Sequence, residues 1–433
     1  MRSVILGVLI TIGLVPQIAL AQSSNNYGSA YSRFGVGERL GLTSSMTDAM
    51  GGAGAALRST LYNNLANPAL WADQSFVGFS AAAQVRGIET TDASNSTSRA
   101  SGGGVRGIQL GIPLSSQRVG MTLAFRPYSR VDYRAIEEGE LLPDEGTELV
   151  SYRHNFEGGG GLQQFTAGLG ARLSPGLSVG ASADVFFGTI EYVQRTEFPG
   201  NDEYRETRTT RSTRLSGVTG TIGAIFSKDN VFGEGDGIHF GASVTLPANL
   251  SGDFVQTLGV SLDRDTVATS LDGSVTLPLS ARFGFAYTGR ERWSFAADVE
   301  YEPWGSFESD FAFGGYDPVS GINSLKDRLR AGGGFQVIPG GRRRTAGYFA
   351  RTAYRLGAYA ERAFFAPFDT NLNTIAITAG VSLPTVVPAA RFDLGLEAGT
   401  RGSTDGMLVR DLFIRGTATI NFGERWFVRR RLG

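Results

Sequence analysis

The chain has few side chains suited to catalysis or metal binding. It contains two histidines, His154 and His239, and no cysteine, which excludes thiol chemistry and disulfide bonds. The histidines lack the spacing of metal ligands, and neither is accompanied by a Gly-x-Ser-x-Gly motif. The glycine runs at 102–104 and 158–161 lack the Lys-Ser/Thr pair of a phosphate-binding loop. The sequence therefore predicts no catalytic residue, no metal site, no cofactor and no enzymatic activity.

Arginines are the side chains best suited to hold an anionic group, because a guanidinium forms paired hydrogen bonds with carboxylate or phosphate. They are therefore candidates for contact with an anionic head group. The alternative, which we favour for any single residue, is that they pair with acidic residues on the same face, such as Asp298, Glu300 and Glu302. Seven arginines alternate with apolar residues and are predicted to share the charged face of their strands: Arg172, Arg282, Arg328, Arg330, Arg355, Arg391 and Arg415.

A two-residue rhythm between about residues 76 and 422 predicts the elements that carry these arginines. Alternate side chains of a strand point to opposite faces, so one face here is apolar and the other tolerates charge. A soluble sandwich would bury the apolar face against a second sheet, whereas a closed membrane barrel would turn it toward lipid. One example of the apolar series is Ile238, Phe240, Ala242, Val244 and Leu246.

Turn residues divide this region into fourteen predicted strands. Short turns alternate with longer polar connections such as 90–103, 135–160 and 308–325, which is typical of outer-membrane barrels. The sequence thus predicts an all-β fold, a transmembrane antiparallel β-barrel of about fourteen strands over residues 75–422, with both chain ends in the periplasm. The predicted strands are 75–89, 104–114, 118–134, 161–173, 177–197, 205–227, 238–259, 267–288, 293–307, 326–338, 346–361, 372–384, 390–401 and 408–422.

Both ends of the chain fit an exported protein of the outer-membrane bilayer. Residues 1–21 combine an early arginine with an apolar run and the small residues Ala19-Leu20-Ala21, the pattern of a cleaved secretory signal peptide. Residues 423–433 are predicted to be a basic periplasmic tail, which either meets lipid head groups or is simply solvated. The net charge of −1 gives no indication of a nucleic-acid partner.

Residues 22–74 do not alternate, and they form a segment too small to fold alone. The small residues from Thr47 to Leu57, among them Gly51, Gly52 and Gly54, are compatible with a helix. Asn67-Pro68-Ala69 is predicted to form a sharp turn, since a residue before proline prefers an extended conformation. A fourteen-stranded barrel has an interior wide enough to need filling. We therefore expect this segment to plug the barrel with short helices.

The glycine-rich run 51–56, the Asn67-Pro68-Ala69 triplet and the fourteen strands together resemble the FadL-type outer-membrane transporters of long-chain fatty acids and other hydrophobic compounds. The stretches 31–37 and 421–427 resemble an uncharacterised FadL-related subgroup. The resemblance implies that residues 22–74 form a hatch inside the barrel and that Asn67, Pro68 and Ala69 belong to it.

The same resemblance implies a function. The expected activity is passive uptake of a hydrophobic small molecule such as a long-chain fatty acid. The alternative is a FadL-like barrel that acts as a scaffold or accessory in protein secretion or surface assembly, with a partner protein. A general diffusion pore is a third possibility, and it would require an open lumen.

Overall fold

The computed structural model describes residues 28–41, 44–60, 62–142, 148–201, 204–259, 265–290, 292–341, 343, 345–387 and 389–424, with backbone only for 265–270. The predicted signal peptide and nearly all of the predicted tail lie outside these residues. Within them, no helix is both long and apolar enough to cross a membrane.

The wall is a closed antiparallel barrel of fourteen strands, as predicted. Strands β3, β7, β8 and β9 are each interrupted once. The barrel closes where β1 pairs with β14, from Val77 opposite Glu424 to Thr91 opposite Arg410. The strands are β1 (Val77–Thr91), β2 (Thr97–Ser115), β3 (Val119–Pro127 and Tyr133–Leu141), β4 (Val150–Ser174), β5 (Leu177–Glu197), β6 (Thr207–Asp229), β7 (Asp236–Thr245 and Ala248–Leu258), β8 (Asp265–Leu277 and Ser280–Gly289), β9 (Trp293–Glu302 and Glu308–Ser309), β10 (Arg328–Val337), β11 (Ala353–Arg362), β12 (Asn373–Pro384), β13 (Arg391–Gly402) and β14 (Arg410–Glu424).

The two ends of the barrel differ in their connections. At one end, which we call the turn end, neighbouring strands are joined by short segments such as 116–118, 175–176 and 290–292. At the other, the loop end, the connections include 310–327, 363–372 and 403–409. The first strand starts and the last strand finishes at the turn end, because an even number of strands returns the chain to its starting side.

The prediction that 90–103 and 135–160 are loops was wrong. Strand β2 already begins at Thr97, and the outer part of β3 pairs with β4 from Tyr133 opposite Gly158 to Leu141 opposite Val150. These extensions are rich in polar residues and show no sustained apolar alternation, although their backbones still pair. Conversely, β11 begins at Ala353 rather than at residue 346, because a short helix, Tyr348–Arg351, occupies the preceding turn.

The two faces of the wall differ as the alternation predicts. Outward side chains such as Phe283 and Leu356 are 60% and 66% exposed, whereas the inward carboxylates of Asp298 and Asp393 are 7% and 1% exposed. An exposed apolar band on a closed barrel is the surface that hydrocarbon solvates.

The described residues between 28 and 74 lie inside the barrel, and we call them the plug. It contains a 3₁₀ helix (Ala30–Arg33), a two-residue strand (Glu38–Arg39), the helix α1 (Ser45–Asp48) and a second 3₁₀ helix (Pro68–Asp73). The expected helix over 47–57 is absent beyond α1, because the backbone turns at Gly51 and Gly52, whose φ angles are +70° and +86°.

Asn67 has the extended backbone expected before proline, with φ −154° and ψ 118°. It does not form a sharp turn into β1, however. Its side-chain oxygen accepts a hydrogen bond from the backbone N–H of Ala69 and so caps the 3₁₀ helix Pro68–Asp73, which leads to β1.

Candidate functional site: the plug, the charged lumen and the wall opening

Glycines on the inner face of the wall allow the plug backbone to lie directly against the strands. They occur on β2 to β8 and on β10 to β12, and a Cβ atom added at any of them would overlap a plug atom. Ordinary side chains at these positions would hold the plug several ångströms away from the wall. We call this set the glycine belt: Gly111, Gly120, Gly170, Gly180, Gly223, Gly241, Gly284, Gly332, Gly334, Gly357 and Gly380.

Asn67 ties the plug to two strands of the wall. Its side-chain N–H groups donate to the carbonyl oxygens of Ala55, Ala224 and Ala242, at 3.0, 3.0 and 3.2 Å. The side chain is completely buried. The two residues that follow Asn67 pack against the wall. Pro68 contacts the belt glycines of β4 and β5, and Ala69 contacts that of β5 and is completely buried. The triplet is therefore at the seat of the plug, where β6 and β7 meet it.

We expect Asn67→Ala to destabilise the protein by about 2–3 kcal/mol, because it removes a helix cap and the buried side-chain hydrogen bonds to Ala55, Ala224 and Ala242. Equilibrium unfolding in urea, with the protein in detergent micelles, measures this loss. Asn249→Ala is the matched control, since Asn249 is exposed on β7. Equal stability of the two variants would contradict the anchoring role.

Asp298 of β9 holds the glycine-rich turn of the plug. One of its carboxylate oxygens accepts hydrogen bonds from the backbone N–H groups of Gly54 and Ala55, at 2.7 and 2.8 Å. Arg282 lies 3.8 Å from the same oxygen. Gly54 is also close to Thr47 and Asn64, whose side chains would overlap a larger residue there. The three predicted hatch glycines thus lie where the plug contacts β8 to β11.

Glu38 lies at the centre of a buried cluster of charges on one side of the lumen. Its carboxylate is 2.7 Å from Arg401, 2.9 Å from Arg415 and 3.7 Å from Arg86. Burial disfavours ionisation of Glu38, but the three guanidinium groups outweigh it and hold its pKa well below the usual range. The plug is therefore joined by charge to β13, β14 and β1.

The next residue, Arg39, reaches the opposite side of the lumen. Its guanidinium is 2.8 Å from Glu302 of β9, which is itself buried. The backbone of Glu38 and Arg39 pairs with Ser129 and Arg130, which leave the wall at the interruption of β3. Two adjacent plug residues thus brace opposite walls of the barrel.

Two of the seven predicted arginines have no carboxylate within ion-pair distance among the described residues, and five have one. Arg355 of the first group donates to the neutral oxygens of Gln336 and Ser382, at 2.7 and 2.6 Å. Arg391 has a buried Nη1 atom without a hydrogen-bond partner among the described residues. The other five have carboxylate partners: Arg172 with Asp73, Arg282 with Glu300 (2.9 Å), Arg328 with Glu361 (2.9 Å), Arg330 with Glu361 (3.6 Å) and Arg415 with Glu397 (3.1 Å).

The wall is open between β2 and β3 on the loop-end side. Up to Ile108 opposite Phe125 the two strands pair, but residues 97–107 pair only with β1 among the described strands. The outer part of β3, Tyr133–Leu141, pairs only with β4. The gap begins where Ser129 and Arg130 turn inward to the plug.

An apolar cluster fills the loop-end half of the lumen and extends to this opening. The plug, the β9–β10 and β11–β12 connections and the interruption of β3 all contribute to it. Its aromatic rings are closely packed, with centroids 4.4 Å apart for Trp304 and Phe364 and 4.7 Å apart for Phe34 and Phe365. Tyr128, Val131 and Tyr133 form its edge at the opening, and its members include Tyr31, Phe34, Val36, Leu162, Phe186, Ile190, Trp304, Phe307, Phe313, Phe364 and Phe365.

No group of three His, Asp or Glu side chains within the described residues has the geometry of a metal site. A family model described as BamG matches residues 2–433. The chain belongs to the BamG family. No curated protein matches it.

Solved structures similar to this BamG-family chain show its fold. The toluene transporter TbuX of Ralstonia pickettii is 14% identical with a TM-score of 0.56, covering 90% of this chain and 99% of its own. The toluene transporter TodX of P. putida is 15% identical with a TM-score of 0.54, covering 90% and 100%. A FadL homologue of Pseudomonas aeruginosa is 11% identical with a TM-score of 0.55, covering 89% and 98%. The fold is that of FadL-type outer-membrane barrels, as the sequence resemblance implied.

Sequence reasoning missed Glu38, Arg39 and the wall opening of this BamG-family barrel. Two signals could have found them. Glu38 and Arg39 are the only charged residues between Phe34 and Thr47, and Pro127 falls inside a predicted strand. Proline cannot donate to a strand ladder and so indicates an edge or an interruption.

Proposed function

We propose that the chain is an outer-membrane channel for the passive uptake of hydrophobic small molecules, with the turn end in the periplasm. The observation that carries the proposal is the continuity of the apolar cluster with the opening between β2 and β3. A hydrophobic molecule that enters at the loop end meets the aromatic cluster, whose edge at Tyr128, Val131 and Tyr133 adjoins the opening to the bilayer.

The similar structures guide the choice of ligand. They include the toluene transporters TbuX and TodX, the monoaromatic hydrocarbon channel CymD and a FadL homologue. We therefore include aromatic hydrocarbons such as toluene beside long-chain fatty acids as candidate ligands. Uptake of toluene and of oleate into liposomes that contain the full chain would distinguish the two classes.

Filling the wall opening tests the route. A Cβ atom at Gly104 of β2 points toward the guanidinium of Arg130 at the inner rim of the gap, 3.3 Å away. We expect Gly104→Trp to lower the uptake rate about tenfold, which corresponds to a barrier about 1.4 kcal/mol higher. Gly159→Trp on β4 is the control, because no atom lies within 4 Å of a Cβ there. Unchanged uptake by the Gly104 variant would rule out lateral exit at this gap.

A scaffold in protein secretion or surface assembly is the second candidate function. It is favoured by the close packing of the aromatic cluster, which a ligand must displace to pass. Native mass spectrometry of the detergent-extracted protein separates the two functions. A stoichiometric partner protein supports the scaffold, and a retained hydrophobic ligand supports the channel.

A further inference from the structure

A large cavity opens at the turn end of the lumen, below the plug. Its volume is about 970 Å³. Plug residues Leu57, Arg58 and Tyr62 form its floor, and the first residues of β9, β11 and β13 form part of its wall. Ligand sites of 300–1,000 Å³ hold a drug-sized molecule or a short peptide segment. We call this cavity the turn-end vestibule.

The charges of the vestibule are divided unevenly between its two sides. On the β6–β8 side, Asp229 and Asp236 line the wall, and Asp73 forms ion pairs with both Arg58 and Arg172. The other side carries arginines that have no carboxylate within ion-pair distance among the described residues: Arg292, Arg343, Arg351, Arg355 and Arg391. The buried carboxylate of Asp393 acts on Arg355 and Arg391 from beyond ion-pair distance, but the five arginines outnumber it, so this wall of the vestibule is cationic.

Two of these arginines have buried donors without a partner. The Nε atom of Arg351 and the Nη1 atom of Arg391 are inaccessible to solvent and form no hydrogen bond with the described residues. A buried donor without a partner costs about 1–3 kcal/mol, more when it is charged. The buried atoms themselves are out of reach of a ligand, but cations that line an open cavity without a carboxylate at ion-pair distance favour a ligand with acceptor oxygens.

Arg355 is already held in position for such a ligand. Gln336 and Ser382 fix its guanidinium, which lies 5.6 Å from the ring centroid of Tyr62 in the plug. A guanidinium fixed by its neighbours loses little conformational freedom when it binds a carboxylate. It also links the vestibule wall directly to the plug.

We propose that the turn-end vestibule binds an acidic peptide segment of a partner protein. Cations spread over the β8–β9 turn, the β10–β11 turn, β11 and β13 match several carboxylates along a chain better than one small anion. Apolar residues between them, such as Trp293, Ile338 and Val386, suit the side chains that separate those carboxylates. The vestibule lies inside the barrel, where the wall separates it from bilayer lipids. The proposal goes beyond uptake and does not depend on it.

The test uses the full chain in detergent micelles and a fluorescently labelled peptide in which Glu alternates with Leu. Binding is measured by anisotropy and compared with that of the same peptide carrying Gln in place of Glu. We expect the acidic peptide alone to bind. We expect Arg351→Gln combined with Arg391→Gln to weaken its binding about tenfold, because a buried charge pair loses one partner.

Two further variants keep the result interpretable. Arg99→Gln combined with Arg153→Gln removes the same charge from exposed loop-end hairpins, and we expect unchanged binding. Arg343→Glu changes an exposed residue of the vestibule rim, so it leaves the folded wall intact, and we expect it to weaken binding as well.

Three results would overturn the proposal. The first is equal binding of the Gln peptide. The second is unchanged binding by both vestibule variants. The third is full displacement of the peptide by inorganic phosphate, or by vesicles of anionic lipid, at equal concentration, which would identify a phosphate site.

Discussion

Glu38→Gln is expected to lower the free energy of unfolding by about 3–5 kcal/mol, because it removes the buried carboxylate that three guanidinium groups share and leaves Arg401 without an ion-pair partner among the described residues. Arg401, Arg415 and Arg86 converge on Glu38; Arg86 is buried, Arg401 is nearly so and Arg415 is partly exposed. In the variant these cations repel one another across a site from which water is largely excluded. Equilibrium unfolding in urea, with the protein in detergent micelles, gives the difference.

The control for Glu38 is an ion pair of the same chemistry at the surface. Glu89→Gln breaks the pair with Arg99, whose side chain is 83% exposed. Exposed pairs contribute about 0–1 kcal/mol, so the control should be nearly as stable as the unchanged protein. A Glu38 variant no less stable than the Glu89 variant would show that the cluster does not hold the plug.

Gly241→Leu is expected to displace the plug from the lumen. A Cβ atom at this position of the glycine belt would overlap the backbone carbonyl of Ala55, and a backbone atom cannot move aside as a side chain can. Overpacking of this kind costs about 1–3 kcal/mol where the neighbours yield, and more where they cannot. We expect the barrel to fold with the plug unseated and to conduct ions in planar bilayers.

Gly78→Val tests whether any bulky residue on the wall has this effect. The nearest atom to a Cβ at Gly78 is the carbonyl oxygen of Phe422, 3.8 Å away, which is an ordinary contact. This variant should retain the low conductance of the unchanged protein. Equal conductance of the two variants, whether high or low, would show that the glycine belt is not what seals the lumen.

The barrel was predictable because lipid outside and polar groups inside give a strict alternation. Fourteen strands followed from that pattern and from the turns. The extensions of β2, β3 and β4 were not predictable in this way, because they are rich in polar residues and carry no sustained apolar alternation. In the sequence, the interruption of β3 was indicated by one residue alone, Pro127.

The plug illustrates the limit of pattern reasoning more clearly. Its position inside the lumen was expected from its size, but its path has no period, because each residue is fixed by contacts with a different strand. Asn67 was singled out with Pro68, yet its three carbonyl acceptors lie on segments that the sequence does not bring together. The arginines show the same limit. Their face was predictable, but only the structure separates Arg391 from arginines that have a carboxylate.

The glycine belt imposes an order on the biogenesis of this protein. The plug is synthesised before every strand of the wall, yet its contacts require nearly the whole cylinder, and Glu38 and Arg415 are separated by 377 positions. The segment made first is therefore the last to reach its place. Until the barrel is nearly complete, the plug has no surface to bind and stays exposed to proteases and chaperones. Contacts between such distant residues are slow to form.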